Sequence, residues 1–256
     1  MSGSRIVRQR IWSRLAAVAR PDSRFHFDFA HVIPDFEGSE AAVARLFAAV
    51  DPARIRRAFV TPDPSLVGVR RALLDAGVPI LVATYDLHRG FVLLDPATIA
   101  PDLRLYASWL DGLEHFGRPL DLAGIAALGR LDLMVTGAAA VSLDGVRFGK
   151  GHEYFDLEWG LFSELGLADE ETRLAALVHD VQVVDERFNP EPSDILVDLV
   201  ATPTRVLDVG RRGRRPRGID WDRVDPRHVE TIPPLAELAR LRGMTALSPT
   251  PQSTAR

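Results

Sequence analysis

Apolar residues recur along this chain in two alternating rhythms. At Val43, Leu46, Phe47 and Val50 the spacing is that of one helical face, and Ser39 stands where it can cap the start of that helix. The same spacing returns at Phe155, Trp159 and Phe162 with Leu161 and Leu165, which predicts a helix ending at Gly166. Between such stretches lie short apolar runs at Ala58-Phe59-Val60 and Ile80-Leu81-Val82-Ala83, then at residues 131–135, 174–178, 195–200 and 205–209. Polar residues scarcely interrupt these runs, the pattern of strands covered on both faces. A helix over residues 5–19 carries Arg5, Arg8 and Arg14 among its polar positions and leads to a loop at Arg20-Pro21-Asp22. Another follows the turn Thr61-Pro62-Asp63-Pro64 and stops at Gly77, a C-terminal capping residue. Residues 103–128 are predicted as helix with an excursion, and 243–256, rich in Ser, Thr and Pro, as a mobile tail. The expectation is one α/β domain over residues 1–242.

Composition narrows the chemistry. The chain has 256 residues, no cysteine and a formal net charge of −4. Thiolate nucleophiles, disulfides and cysteine-held zinc are therefore excluded, and the seven histidines show no zinc spacing, so a metal would be held by oxygen. The net charge offers no global attraction to nucleic acid or anionic membranes. No stretch reaches the ~20 apolar residues of a membrane span, and the first residues, MSGSRIVRQRIW, lack a signal-peptide core, so the expectation is a soluble, cytoplasmic protein.

One stretch concentrates candidate chemistry: Arg147-Phe148-Gly149-Lys150-Gly151-His152-Glu153-Tyr154-Phe155-Asp156. It follows an apolar run and the small residues Thr136-Gly137-Ala138-Ala139-Ala140, and it feeds a helix. Glycines let backbone N–H groups approach a phosphate, Arg147 and Lys150 add positive charge, and a helix start favours an anion. The sequence lacks the Walker pattern, so on physics alone a phosphate cradle and an ordinary surface turn both stay open. His179-Asp180 forms an acid/base pair or a hydrogen-bonded structural histidine. Trp109 and Tyr106 offer flat faces for a pterin, core packing being the other reading. Arg211, Arg212, Arg214, Arg215 and Arg217 form a cationic run, a solvated loop or a landing place for an acidic substrate tail. No RNA-binding module or interleaved aromatics accompany it, which argues against nucleic acid.

Taken together, DGVRFGKGHEYFDLEWGLFSELG, VHDVQVVDE and SDILVDLVATPTRVLDV, in this order and spacing, resemble the 5-formyltetrahydrofolate cyclo-ligase family, also called methenyltetrahydrofolate synthetases. IPDFEGS, ATPTRV and RRPRGIDW place the resemblance in the branch of methenyltetrahydrofolate-synthetase-domain-containing proteins. The resemblance implies a three-layer α/β/α sandwich with a mixed, mostly parallel sheet, of the NagB/RpiA/CoA-transferase-like kind. It implies an ATP-dependent, C–N bond-forming ligase that uses ATP and Mg2+ to cyclise 5-formyltetrahydrofolate to 5,10-methenyltetrahydrofolate, releasing ADP and phosphate. The partner is then a small molecule, a reduced folate or an analogue.

Carried over residue by residue, the resemblance implies nucleotide contacts from Arg5, Arg8, Arg147, Gly149, Lys150, Gly151 and Tyr154, with Lys150 and Tyr154 nearest the chemistry. Asp156 and Asp194 match the acids that serve magnesium, and Glu37 and Trp109 are the candidates for substrate contact. The chain departs from the family pattern at Glu153, where a further glycine is usual, at Phe155, the second aromatic, and at Ser4 or Arg5, where a lysine is expected. Ser193 precedes Asp194 where a histidine is common, and Glu37-Gly38-Ser39-Glu40 matches the folate segment poorly. The alternatives are a cyclo-ligase-like paralogue acting on another formyl or amide substrate, thiamine-related ones included, and a non-catalytic nucleotide- or folate-binding protein.

Overall fold

The computed structural model describes residues 3–150, 154–186, 188–190, 192–210 and 213–244, with side chains from residue 7 onward. The predicted tail from residue 245, Gly151, Glu153, Arg211, Arg212 and the side chains of Ser4 and Arg5 lie outside the described residues.

The chain runs α1 (Gly3–Leu15), α2 (Ser39–Ala49), β1 (Ala58–Val60), α3 (Val67–Asp75), β2 (Ile80–Ala83) and β3 (Phe91–Leu94). The predicted helix with an excursion is divided into α4 (Arg104–Ala107), α5 (Leu110–Phe116), edge strand β4 (Arg118–Leu120) and α6 (Leu122–Ala126). Then come β5 (Leu133–Thr136), β6 (Ala140–Ser142), β7 (Arg147–Phe148), α7 (Tyr154–Glu164), β8 (Arg173–Leu177), β9 (Val183–Val184), β10 (Leu199–Ala201) and β11 (Val206–Asp208). Helices α8 (Pro226–Thr231) and α9 (Pro233–Leu241) complete the described chain.

Eight strands form one mixed, mostly parallel sheet in the order β11-β10-β8-β5-β1-β2-β3-β4. Strands β10, β8, β5, β1 and β2 run parallel, while β11, β3 and β4 are antiparallel to their neighbours. Every residue of β1, β2 and β5 is buried, which is why their sequences show no alternation. On one face Leu46 of α2, Leu73 of α3 and Leu113 of α5 pack on the sheet. On the other, Ile125 of α6, Phe162 of α7 and Leu235 of α9 do so, with the rings of Phe59, Phe91 and Phe162 meeting at 4.9 to 6.2 Å. A smaller sheet, β7-β6-β9, is covered by α1 through Val7 and Ile11.

Three expectations are corrected by local contacts. Gly38, with φ of +78°, takes the capping position of α2, and Ser39 is buried inside the first turn with Arg20 3.4 Å from its Oγ. Of the run 195–200 only its end joins the ladder, because Val197 donates instead to the Gly145 carbonyl and Asp198 turns its carboxylate to the Leu174 N–H. Gly145 allows this approach, since a Cβ there would stand 2.5 Å from the Val197 carbonyl oxygen. Trp109 and Tyr106 do not pack in the core: they remain 48% and 41% exposed.

Two arginines are buried and polar-satisfied. Arg70 is fully enclosed and donates to the carbonyls of Ser108 (2.8 Å), Thr61 (2.6 Å) and Asp63 (3.2 Å). Burial pulls its pKa down to about 9, with Asp63 opposing, so it is cationic at neutral pH. Arg215, from the cationic run, pairs with Asp198 at 2.5 Å, donates to the Thr172 carbonyl at 2.6 Å and lies over the Trp159 ring at 5.1 Å. At this position the run is neither solvated nor available to a polyanion.

Replacing Arg70 tests its hold on the turn after β1. Arg70→Met leaves buried carbonyl groups without donors, and urea unfolding should report a loss of about 3 kcal/mol.

Candidate functional site

Strand β1 sends the chain to β2 on one side, while β5, its other neighbour, starts the run to β8 and β10. Helices α3 and α7 lie on opposite faces. In open α/β sheets such a reversal leaves a crevice beyond the C-terminal strand ends. A cleft of about 540 Å³ occupies this place, lined by Thr61 and Asp63 beyond β1, Thr84 and Asp86 beyond β2, and Gly137 beyond β5. The far wall comes from the glycine-lysine loop and α7: Arg147, Gly149, Lys150, Tyr154, Phe155 and Glu158.

The cations of this wall are already engaged. Arg147, with only 6% of its side chain exposed, bonds Asp156 at 2.7 Å and lies over the Phe155 ring at 4.8 Å. The other oxygen of Asp156 accepts the Ile195 N–H at 2.9 Å. Lys150 reaches across the cleft to the His31 carbonyl (3.3 Å), Asp86 (3.5 Å) and the face of Tyr85 (5.1 Å). Its side chain is 15% exposed, so it is half-enclosed and not a free surface lysine. The Tyr85 hydroxyl donates to the same His31 carbonyl, and burial, with the charge of Asp86, pushes its pKa up to about 12.

The acids include residues that sequence reasoning passed over. Glu158 is 3% exposed, and its Oε2 has no hydrogen-bond partner among the described residues. Burial, reinforced by Asp63, holds its carboxyl well above the usual carboxylate range against the pull of Arg147 and Lys150. Its spacing was a readable signal: it stands one helical turn after Tyr154, on the same face of α7. Tyr154, partly buried, is pushed upward by desolvation and then by Asp86 and Glu158.

A second and larger cleft, about 1610 Å³, opens beside the first turn of α7. Asp156 and Asp194 both line it, facing a wall that includes Arg217, Arg223 and His228. The Tyr154 ring, which lines the first cleft, lies 5.6 Å from that of His228, so the start of α7 borders both spaces. Arg8 is half-buried on α1, the helix that covers the small sheet. Glu37 is exposed and Trp109 stands on the surface of the α4–α5 turn; neither lines either cleft.

Among the described residues no three His, Asp or Glu side chains are grouped to hold a metal. Magnesium, however, commonly takes one or two carboxylates and completes its shell with phosphate oxygens and water. Asp156 and Asp194 on one cleft fit that arrangement, since a carboxylate keeps lone pairs beyond those given to Arg147 and Ile195. They do not form an all-protein cage.

His179 is a structural residue. Its Nδ1 accepts the Val181 N–H at 3.2 Å, Gln182 closes the reciprocal bond, and the ring meets Phe36 edge-on. Asp180 accepts the hydroxyls of Thr202 and Thr204.

Comparison with known proteins matches residues 1–203 to the 5-formyltetrahydrofolate cyclo-ligase family. A human methenyltetrahydrofolate synthase domain-containing protein is 33% identical over 235 residues, covering 91% of this chain and 60% of the relative. The mouse protein of the same description is 32% identical over 237 residues, with coverages of 91% and 62%. This chain therefore spans about 60% of the length of these relatives. A solved 5,10-methenyltetrahydrofolate synthetase from Aquifex aeolicus shares 15% identity, with a TM-score of 0.49 over 85% of this chain and 98% of that one.

The Asp156 geometry sets an outcome. Asp156→Asn leaves Arg147 enclosed without its counter-charge and should lower stability by about 3 kcal/mol in chemical denaturation. A ligand-binding defect in this variant must be measured below its unfolding temperature.

His179 sets a second. Burial depresses its pKa below 6.5, so the native state prefers the neutral ring, which the accepted Val181 N–H also requires. Its contribution is complete above the unfolded value and is lost as the pH falls through the depressed native one. Between about pH 7.5 and pH 5, stability should decline more steeply in the wild type than in His179→Asn, which keeps a capping acceptor but cannot titrate. Parallel urea-midpoint profiles would remove this role.

Proposed function

The chain belongs to the 5-formyltetrahydrofolate cyclo-ligase family, and from that premise we propose that it is an ATP-dependent ligase that cyclises 5-formyltetrahydrofolate to 5,10-methenyltetrahydrofolate. The observation that carries this reading is the pair of clefts bordered by the first turn of α7. Tyr154 and Lys150 line one, and Asp156 and Asp194 line the other.

The reaction needs a poor leaving group made good. The γ-phosphoryl group moves to the formyl oxygen, the neighbouring folate nitrogen attacks the formyl carbon, and that nitrogen loses its proton as phosphate departs with the former formyl oxygen. Such chemistry depends on positioning and charge neutralisation and needs no side-chain nucleophile. In this reading the first cleft holds the formyl-bearing ring, with the Tyr154 hydroxyl orienting the formyl oxygen and Lys150 offsetting charge at the transferred group. Lys150 exchanges Asp86 for substrate, a small rearrangement for a flexible side chain. The second cleft receives the nucleotide phosphates, with Arg217 and Arg223 in a lining of mixed charge that also carries Asp220 and Asp225. Magnesium, held by Asp156 and Asp194, would supply further charge neutralisation there.

A related ligase acting on another formyl or amide substrate is the second reading, and the buried acid Glu158 in the substrate wall favours it.

Purified protein with magnesium-ATP and 5-formyltetrahydrofolate should generate methenyltetrahydrofolate absorbance together with an equal amount of ADP. Lys150→Ala should slow this turnover by about 100-fold at a stability cost of about 1 kcal/mol. A folded wild type that forms no methenyl product would overturn the assignment of substrate, and unchanged turnover in the variant would take Lys150 out of the site.

A further inference from the structure

The stretch RRPRGIDW, residues 214–221, lies beyond residue 203, where the match to the family ends, yet it forms part of the second cleft. Its backbone is pinned along α7. The Pro216 carbonyl accepts the Trp159 indole N–H at 2.8 Å, the Gly218 N–H donates to Ser163 Oγ at 2.9 Å, and the Ile219 N–H donates to the Glu164 carboxylate at 3.2 Å. Gly160 admits the loop, since a Cβ there would stand 2.9 Å from the Gly218 carbonyl oxygen. Of its charged residues, Arg215 is spent inside the chain on Asp198. Arg217 and Asp220 are not spent. Both are exposed and line the cleft, and neither side chain makes an ion pair or hydrogen bond among the described residues, not even with the other. Exposed charges are ordinarily just solvated. Here the main chain is fixed at three points while two opposite charges stay open toward one cavity, which is the form of a preorganised ligand contact.

We infer that Arg217 and Asp220 read the sugar end of the nucleotide: Arg217 takes a phosphate oxygen next to the ribose, Asp220 accepts the ribose 2′-hydroxyl, and the second cleft thereby selects ribonucleotides over deoxyribonucleotides. A guanidinium only donates and calls for anionic oxygen, while a carboxylate only accepts and calls for O–H or N–H. A ribonucleotide supplies both within one sugar phosphate. Ile219 and Val224 add apolar lining for the sugar face and the base. Direct metal ligation suits Asp220 less well, because among the described residues no three His, Asp or Glu side chains are grouped to hold a metal.

This inference rests on the reading of the second cleft as the nucleotide cleft and deepens it. The phosphate chemistry stays with the first turn of α7, and the loop beyond the family match supplies the choice of sugar. A 2′-deoxynucleotide leaves the Asp220 carboxylate without the donor that the site offers it, so affinity falls by the worth of that one contact.

The test is a binding measurement in the absence of folate, so that no turnover is needed. Titration calorimetry on the full chain compares magnesium-ATP with magnesium-2′-deoxyATP. The wild type should bind ATP about ten-fold more tightly, the scale of one hydrogen bond to a charged group. Asp220→Ala should bring ATP down to the affinity of 2′-deoxyATP and leave 2′-deoxyATP unchanged, whereas Arg217→Gln should weaken both about ten-fold. Melting temperatures of both variants are read alongside and should match the wild type, since both side chains are exposed. Equal affinity of the wild type for the two nucleotides, no binding of either, or a preference that survives Asp220→Ala overturns the inference. Nucleotide binding that responds to Lys150→Ala but to neither loop variant also overturns it, and leaves the ligase reading standing. A sugar preference that depends on Asp220 in a chain that forms no methenyl product upholds the loop and overturns the substrate.

Discussion

The Asp156 carboxylate is the joint on which the candidate site depends. One oxygen takes the guanidinium of Arg147 from β7, and the other takes the backbone N–H of Ile195, far along the chain. A buried cation is thus neutralised, a segment without a strand ladder is anchored, and the first turn of α7 is fixed between both. The candidate functional groups hang from that turn or face it. Tyr154 precedes the joint on one side, Asp194 borders it on the other, and Glu158 follows one half-turn later.

Charge in this region is arranged so that little is spare. Cations are matched to acids across the gap between chain segments, which lets them sit in low-dielectric surroundings at tolerable cost. The exceptions then carry information. Glu158 is buried with no hydrogen-bond partner for its Oε2 among the described residues, and its raised pKa is the response of a carboxyl group to that setting. The same matching engages the positively charged loop within the chain, where Lys150 spans the cleft to Asp86.

Much of the architecture could be read from residue patterns because the physics there is local. Unbroken apolar triplets and quartets gave β1, β2 and β5, and the helical spacing of Phe155, Trp159 and Phe162 gave α7, with Gly166 at φ +76° ending it. The loop between them was visible as glycine and charge in an apolar setting. What stayed hidden depends on distant partners. Nothing near Arg70 says that it will cap carbonyls on two other segments, and nothing in the arginine run separates the buried Arg215 from its neighbours. Asp63 looked like turn chemistry and became cleft wall. Trp109 suggested a binding face or core and is a surface ring beside Tyr106.

The match to the family stops at residue 203, but the packing does not. Beyond that point Arg215 neutralises Asp198, Pro216 accepts the indole N–H of Trp159 at 2.8 Å, and Leu235 enters the core under the sheet. Asp198 and Trp159 belong to the matched part and are completed only by residues C-terminal to it. Removing the stretch beyond residue 203 would strand a buried carboxylate and uncover an aromatic face, so a chain cut at the edge of the family match would lose part of its own core.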